Sequence, residues 1–289
     1  MKKSEALTIG LQYGLSKKQI ENVVMNVLSL DSKEYFLLED FEDNHLYEIS
    51  KSFYKLEQKE PEEYVYKKAE FYGHDFYVDE RVLIPRNETE ILVTEALREI
   101  NMTGNIDATT LIDIGTGSSC IPISILLALK PLKLHNVYAV DVSPEALEVS
   151  HINRDAYGYT EVLTQIQSSL LDEFLKSSGF DIAKNVVITA NLPYIKKDDF
   201  EFMDESVIKF EPDVALFWGT KTGFEFYEDL VKQCYSFKKI YNIEKIVLFI
   251  EIGFDQYEIS KKYLSELGLR FEYFQDTNKI QRIIKITGF

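Results

Sequence analysis

Asn191-Leu192-Pro193-Tyr194 follows a strongly apolar run, Val186-Val187-Ile188-Thr189-Ala190. A plain turn has this composition too, but the set meets a specific chemical need. Pro193 disfavours helix at Leu192 and pushes it towards an extended backbone, which lets the Leu192 carbonyl and the Asn191 side-chain oxygen point the same way. Two converging acceptors grip an NH2 group. Tyr194 adds a flat face on which an amide or a base stacks and beside which a cation is favoured.

A second cluster lies upstream, in Asp113-Ile114-Gly115-Thr116-Gly117-Ser118-Ser119. A Gly-rich turn between a strand and a helix lets backbone amides approach a ligand closely. Cys120 stands where a GxGxxG fingerprint needs its last glycine, and no GxxxxGK[ST] loop occurs, so pyrophosphate binding is disfavoured. A tight turn with no ligand is the alternative. Asp141 closes the next apolar run, Val137-Tyr138-Ala139-Val140, and a carboxylate at that sheet edge can accept both hydroxyls of a ribose. Asp141-Val142-Ser143-Pro144 also reads as a helix start. Ser143 is the better cap, which leaves Asp141 free.

These groups need elements to hold them. From residue 4 to about residue 56 apolar positions recur at helical spacing, as in Ile20, Val23, Val24, Val27 and Leu28, so several short helices are expected. Ser16 and Gln19 form a capping box at the start of the second. Aromatic and polar residues alternate over residues 64–83 around Gly73-His74-Asp75, which predicts a β-hairpin. Beyond residue 109, apolar strands at 110–114, 137–142, 163–167, 186–190 and 245–252 alternate with helical stretches. That alternation predicts a doubly wound, mainly parallel sheet. Runs 269–274 and 282–287 are separated by too few residues for a parallel crossover and must pair antiparallel.

Composition sets the bounds. The chain has 289 residues, 45% of them hydrophobic and 28% charged, ordinary values for packed globular domains. Its formal charge of −16 repels nucleic-acid backbones and anionic membranes, and no basic arm offsets it. Two cysteines, Cys120 and Cys234, in no CxxC spacing suit a reducing, cytoplasmic compartment. No leader or membrane-spanning run is read from the sequence. His45, His74, His135 and His151 lack ligand spacing, so no metal is expected. Trp218 is read as packing. Glu88 and Glu90 are either paired acids or the negative start of a helix.

With these residues in view, the chain resembles the HemK/PrmC family, the glutamine-N5 methyltransferases that modify peptide chain release factors. The likeness runs from about residue 60 to the end. It is carried by Ala69-Glu70-Phe71-Tyr72-Gly73, by Val82-Leu83-Ile84-Pro85-Arg86 with Glu88-Thr89-Glu90, and by the segment from Asp113 to Gly117. Asn191 to Tyr194, Glu211-Pro212 with Ala215-Leu216, Gly223-Phe224-Glu225-Phe226-Tyr227 and Glu251-Ile252-Gly253 continue it in family order.

The resemblance implies a Rossmann-like, seven-stranded class I methyltransferase sheet over residues 87–289, a β-hairpin linker at 64–86 and a helical domain at 1–63 that docks substrate. It implies S-adenosylmethionine held by Gly115, Thr116, Gly117, Ser118 and Ser119, by Asp141 at the ribose, by Leu170 against the adenine and by Asn191. Asn191, Leu192, Pro193 and Tyr194 would hold the glutamine amide of a release-factor GGQ motif and carry catalysis, and Glu88 and Glu90 would shape the substrate pocket. A monomer is expected, with no nucleic-acid or membrane partner. The sequence departs from the family at Ser119, Lys67 and Trp218, which replace glycines, at Leu192, which replaces the first proline of NPPY, and at Ser169 and Gln281, which replace Asp. Ser119 can serve as a helix N-cap, with Pro122 in the first turn. NLPY also occurs in amine methyltransferases acting on nucleic acid, so methylation of adenine in DNA or RNA is the alternative activity. A non-catalytic protein that retained the fold and cofactor site is a third reading.

Overall fold

The computed structural model describes residues 2–195, 204–216 and 222–289. The chain divides into two compact units, Met1–Lys68 with Asp204–Phe210, and Ala69–Met203 with Glu211–Phe289. Trp218 lies outside the described residues.

The first unit is helical: α1 Lys3–Gln12, α2 Lys17–Leu28, α3 Ser32–Leu37, α4 Leu46–Glu57 and α5 Glu62–Tyr66, with α10 Glu205–Phe210 from later in the chain. The capping box opens α2 as expected, Gln19 N–H donating to Ser16 Oγ and Ser16 N–H to Gln19 Oε1. The helical spacing of Ile20, Val23 and Val24 places all three against Ile49, Phe53 and Leu56 in one buried cluster. The hairpin does not begin at residue 64. Residues Glu62–Tyr66 form α5 instead, with acidic side chains in the first turn, where the helix dipole favours them. The helix ends on Lys67 in the left-handed region, φ +55°, a C-terminal conformation that favours glycine.

The second unit opens on a short hairpin, β1 Ala69–Phe71 and β2 His74–Phe76, then α6 Glu90–Met102. There follow β3 Thr109–Ile114, α7 Cys120–Leu129, β4 Asn136–Asp141, α8 Pro144–Ala156, β5 Leu163–Gln167, α9 Asp172–Lys176 and β6 Asn185–Ala190. After α11 Asp213–Leu216 come α12 Glu225–Ile240, β7 Lys245–Glu251, α13 Tyr257–Glu266, β8 Arg270–Gln275 and β9 Gln281–Thr287. Seven strands form one sheet in the order β5-β4-β3-β6-β7-β9-β8. The first five are mutually parallel, and β9 runs antiparallel to both neighbours. The terminal pair is antiparallel as the short connection requires. Among the described residues no helix is long and apolar enough to cross a membrane.

Period-two alternation explains the two cores. Ile112, Ile114, Val140, Ile188 and Ile250 face a cluster that includes Leu230 and Phe237 of α12. Their strand neighbours Leu111, Ala139, Val187 and Phe249 face a second cluster with Val93 and Ala96 of α6 and Ile123 of α7. Strands buried on both faces read as continuous apolar runs. Register then brings four carboxyl ends into one row: Ile114 pairs with Val140 and with Ala190, and Ala190 pairs with Ile250. The next residues along these strands are Gly115, Asp141, Asn191 and Glu251. Strand order reverses between β3 and β6, the switch point where open α/β sheets bind ligands.

Candidate active site

A cleft of about 270 Å3 opens over this row of strand ends. Gly115, Thr116, Gly117, Ser118, Asp141, Leu170, Asn191, Leu192 and Pro193 line it together, joined by Arg86, Thr89 and Phe226.

The Gly-rich turn is tied to the next strand. Gly115 N–H and Thr116 N–H both donate to the Val140 carbonyl, at 2.8 and 2.9 Å. Gly115 has φ +71° and Gly117 +51°, a region glycine enters readily. A Cβ on Gly115 would stand 2.8 Å from Leu192 Cδ2, so the two turns touch, and at φ +71° any side chain here would be strained. Beneath them Asp113 is fully buried, accepting from Thr116 Oγ1 and Thr189 Oγ1 at 2.7 Å each. Burial pushes its carboxyl up to about 7; the two hydroxyls oppose the shift and the Asp141 charge adds to it.

Ser119 occupies the N-cap position of α7 but does not cap it. Its backbone is left-handed, φ +61°, which turns the hydroxyl away from the helix amides. The side chain instead meets Thr116 Oγ1 at 3.2 Å and Ser150 Oγ at 2.5 Å. Ser119 is fully buried below the turn and does not line the cleft. A serine in this conformation costs about 1–2 kcal/mol against glycine, and buried hydroxyl bonds offset a cost of that size.

Ser143 does cap α8, accepting from Ala146 N at 3.0 Å. Asp141 is nonetheless not free: Oδ2 accepts from Gly117 N at 2.9 Å and Oδ1 from Ser143 N at 3.0 Å. A carboxylate has about four acceptor sites, so these backbone donors leave it capacity to accept from a ligand's hydroxyls. Burial raises its carboxyl pKa while the backbone donors oppose the rise. Leu170, at φ +49°, completes this end of the cleft.

At the other end, Asn191 Nδ2 donates to Thr89 Oγ1 at 3.1 Å, and Thr89 donates to Glu251 Oε2 at 2.6 Å. Tyr227, fully buried, accepts from Leu192 N–H at 2.9 Å and donates to the Glu251 carbonyl at 2.5 Å. Spending its one proton there leaves the Leu192 carbonyl only a 3.4 Å approach from this hydroxyl. Tyr194 is set back from the cleft lining. A Cβ on Gly253 would lie 3.1 Å from Tyr194 Cδ2, and one on Gly223 would collide with the Tyr194 carbonyl. Burial raises the Tyr194 phenol pKa.

Of the block from Arg86 to Glu90, Arg86 and Thr89 line the cleft rather than Glu88 or Glu90. Glu90 accepts from Tyr72 N at 2.7 Å. Arg86 Nη2 pairs with the buried Glu211 Oε1 at 2.5 Å, and Glu211 also accepts from Ile84 N. Arg282 Nε donates to Asp276 Oδ2 at 3.0 Å, so its carboxylate comes from position 276 and not from the neighbouring Gln281. Thr89 and Tyr227 lie in blocks that carry the resemblance, but their partners could not be read from the sequence because folding brings them from 102 and 35 positions away; Asp276 meets Arg282 across a short turn. Among the described residues, no group of three or more His, Cys, Asp or Glu could hold a metal ion.

No family model matches the chain. It is 34% identical over 230 residues to the release factor glutamine methyltransferase of Chlorobaculum tepidum, covering 78% of this chain and 74% of that one. The protein of the same name from Lactococcus lactis is 36% identical over 240 residues, covering 82% and 81%. That of Clostridium acetobutylicum is 29% identical over 276 residues, covering 95% and 87%. Among solved structures, the hMettl16 catalytic domain in complex with MAT2A 3′UTR hairpin 1 is similar at a TM-score of 0.56 and 13% identity, covering 87% of this chain and 83% of that one. The N-terminal domain of human METTL16 in complex with SAH gives 0.52 at 15% identity, covering 87% and 85%. Likeness at that level speaks to the fold, the seven-stranded class I methyltransferase sheet.

Proposed function

The chain belongs to the family of release factor glutamine methyltransferases, and from this premise we infer that it transfers a methyl group from S-adenosylmethionine to the side-chain amide nitrogen of a glutamine in peptide chain release factors. The observation that carries this reading is the single row at the strand ends. The Gly115–Ser118 turn and Asp141 adjoin Asn191 and Leu192 across β3, β4 and β6 in one cleft.

The residues present fit the cofactor. Gly115 and Gly117 keep the turn low enough for close backbone approach, a Cβ at Gly117 having only open space around it. Asp141 retains acceptor capacity for the ribose hydroxyls, and Leu170 offers an apolar wall to the adenine. The bound cofactor supplies a sulfonium methyl, reactive enough that the protein's task is to place the acceptor and shape the local field. Ser119 acts from beneath, bracing the turn.

Asn191 Oδ1 and the Leu192 carbonyl accept the two hydrogens of the glutamine amide, which aims its nitrogen at the methyl. Tyr194, its ring set behind the lining against Gly253, would offer its flat face to that planar amide once substrate extends past Pro193, and Pro193 keeps Leu192 extended. Transfer is direct and in line, with no covalent enzyme intermediate, and the methylated nitrogen loses its proton to water. The helical unit is assigned to docking the release factor. A charge of −16 disfavours a nucleic-acid substrate, and action on release factors supports a cytoplasmic enzyme.

Incubation with methyl-labelled S-adenosylmethionine tests the reading. Label is expected in a release factor and not in its glutamine-to-alanine variant or in nucleic acid. Label in nucleic acid alone would overturn it in favour of adenine methylation.

A further inference from the structure

The Asn191 amide works as an acceptor only if its oxygen, not its NH2, faces the substrate. Both orientations have nearly the same shape, so something must choose between them. Proton counting identifies what does. Thr89 and Glu251 are both buried, at 3% and 2% exposure. An ionised carboxylate can only accept, so the single Thr89 hydroxyl proton goes to Glu251 Oε2, 2.6 Å away. Thr89 Oγ1 then has only lone pairs left to offer. Its 3.1 Å partner on Asn191 must be Nδ2, and Oδ1 is left as the acceptor that Asn191 offers to the cleft.

We propose that Thr89 and Glu251 are positioning residues for methyl transfer, a one-way hydrogen-bond chain from Asn191 Nδ2 through Thr89 Oγ1 to Glu251 that fixes which end of the Asn191 amide meets the substrate. The chain joins three separate parts of the second unit: the turn before α6, the end of β6 and the end of β7. It rests on the methyl-transfer reading above. A protonated Glu251 removes its direction, because the carboxyl can then donate to Thr89, Thr89 can donate to Asn191 Oδ1, and the amide turns its NH2 towards the substrate NH2. Two donors then face each other and the grip is lost.

Burial pushes the Glu251 carboxyl up to about 7; the Thr89 and Asn191 hydrogen bonds and the Arg282 charge oppose the rise, and the Glu88 charge adds to it. The Tyr194 and Tyr227 phenols also face this carboxylate, and burial raises both, so they stay neutral when it titrates. The working form is the ionised one. Activity therefore falls as pH drops through about 7.

The test measures kcat and KM against release factor, with pH profiles, for wild type, Thr89→Val, Thr89→Ser and Glu251→Gln. Thr89→Val keeps the shape and loses the hydroxyl, and is expected to lower kcat by about 10-fold or more with KM for S-adenosylmethionine unchanged. Thr89→Ser restores the rate to within about threefold. Glu251→Gln cannot titrate at this position, so at saturating S-adenosylmethionine the acidic limb of kcat should vanish while wild type and Thr89→Ser keep theirs; Asp113, also pushed up to about 7, sits beneath the cofactor turn and its titration is read in the KM for cofactor. Calorimetric cofactor affinity checks that each variant has an intact cleft. If Thr89→Val fails to fold, the limb in Thr89→Ser and its loss in Glu251→Gln decide the matter. A wild type that leaves release factor unlabelled overturns the methyl-transfer reading and this inference together. A working wild type overturns the inference alone if Thr89→Val runs at full rate or the acidic limb of kcat at saturating S-adenosylmethionine survives Glu251→Gln.

Discussion

Asn191→Ala is expected to lower kcat for release-factor methylation by at least about 100-fold, the usual consequence of removing a preorganised polar contact made at the reacting centre. The loss arises because the amide nitrogen is a poor nucleophile whose lone pair is delocalised. Holding both of its hydrogens is what directs that pair at the methyl. Asn191→Asp separates acceptance from shape. Its carboxylate still accepts but has no NH2 for Thr89, so it would place an acceptor-only group against Thr89 and near buried Glu251; activity between those of wild type and Asn191→Ala is expected. Tyr194→Phe should keep most of the rate, since the flat ring remains against Gly253. Steady-state kinetics on the three variants check this. A normal rate in Asn191→Ala together with a dead Tyr194→Phe would transfer the working role to the phenol hydroxyl.

Asp141→Ala is expected to weaken S-adenosylmethionine binding by about 1–3 kcal/mol, or roughly 5- to 150-fold in Kd, the range for charge-assisted hydrogen bonds. Two effects combine. The ribose loses its acceptor, and Gly117 N–H and Ser143 N–H lose the carboxylate that holds them at 2.9 and 3.0 Å. Asp141→Asn separates them in part, because its single carbonyl oxygen can accept from one backbone donor but not serve all four. Isothermal titration with the cofactor or its demethylated product reads the change. An unchanged Kd for Asp141→Ala would remove this residue from the cofactor site.

Most of the sheet was legible because strands buried on both faces are mainly apolar, as 186–188 and 246–250 are. Their ends fell within a residue or two of the observed strands. The hairpin start was misplaced because Tyr64 and Tyr66 alternate with other residues much as a strand would, while α5 is only five residues long and too short to show a helical period. The Gly-rich turn, Asp141 and Asn191 were legible since each sits where an apolar run stops. Ser119 was expected to cap α7, and that failed on backbone conformation: its type suits a cap, but a left-handed φ aims the hydroxyl at Ser150. Thr89 and Tyr227 could not be read locally. One meets Asn191 across 102 positions and the other meets Leu192 across 35, and only the strand order puts them side by side.

The central claim is that the methyl goes to an amide nitrogen on a glutamine side chain. Wild-type enzyme, S-adenosylmethionine carrying a heavy-isotope methyl and purified release factor should be combined, and the digested product mapped by tandem mass spectrometry. One heavy methyl is expected on the side-chain nitrogen of the GGQ glutamine, appearing in step with cofactor consumption and at least about 100-fold slower in Asn191→Ala. A heavy methyl on any other atom of the release factor, or cofactor consumed with the release factor unmodified, would contradict it.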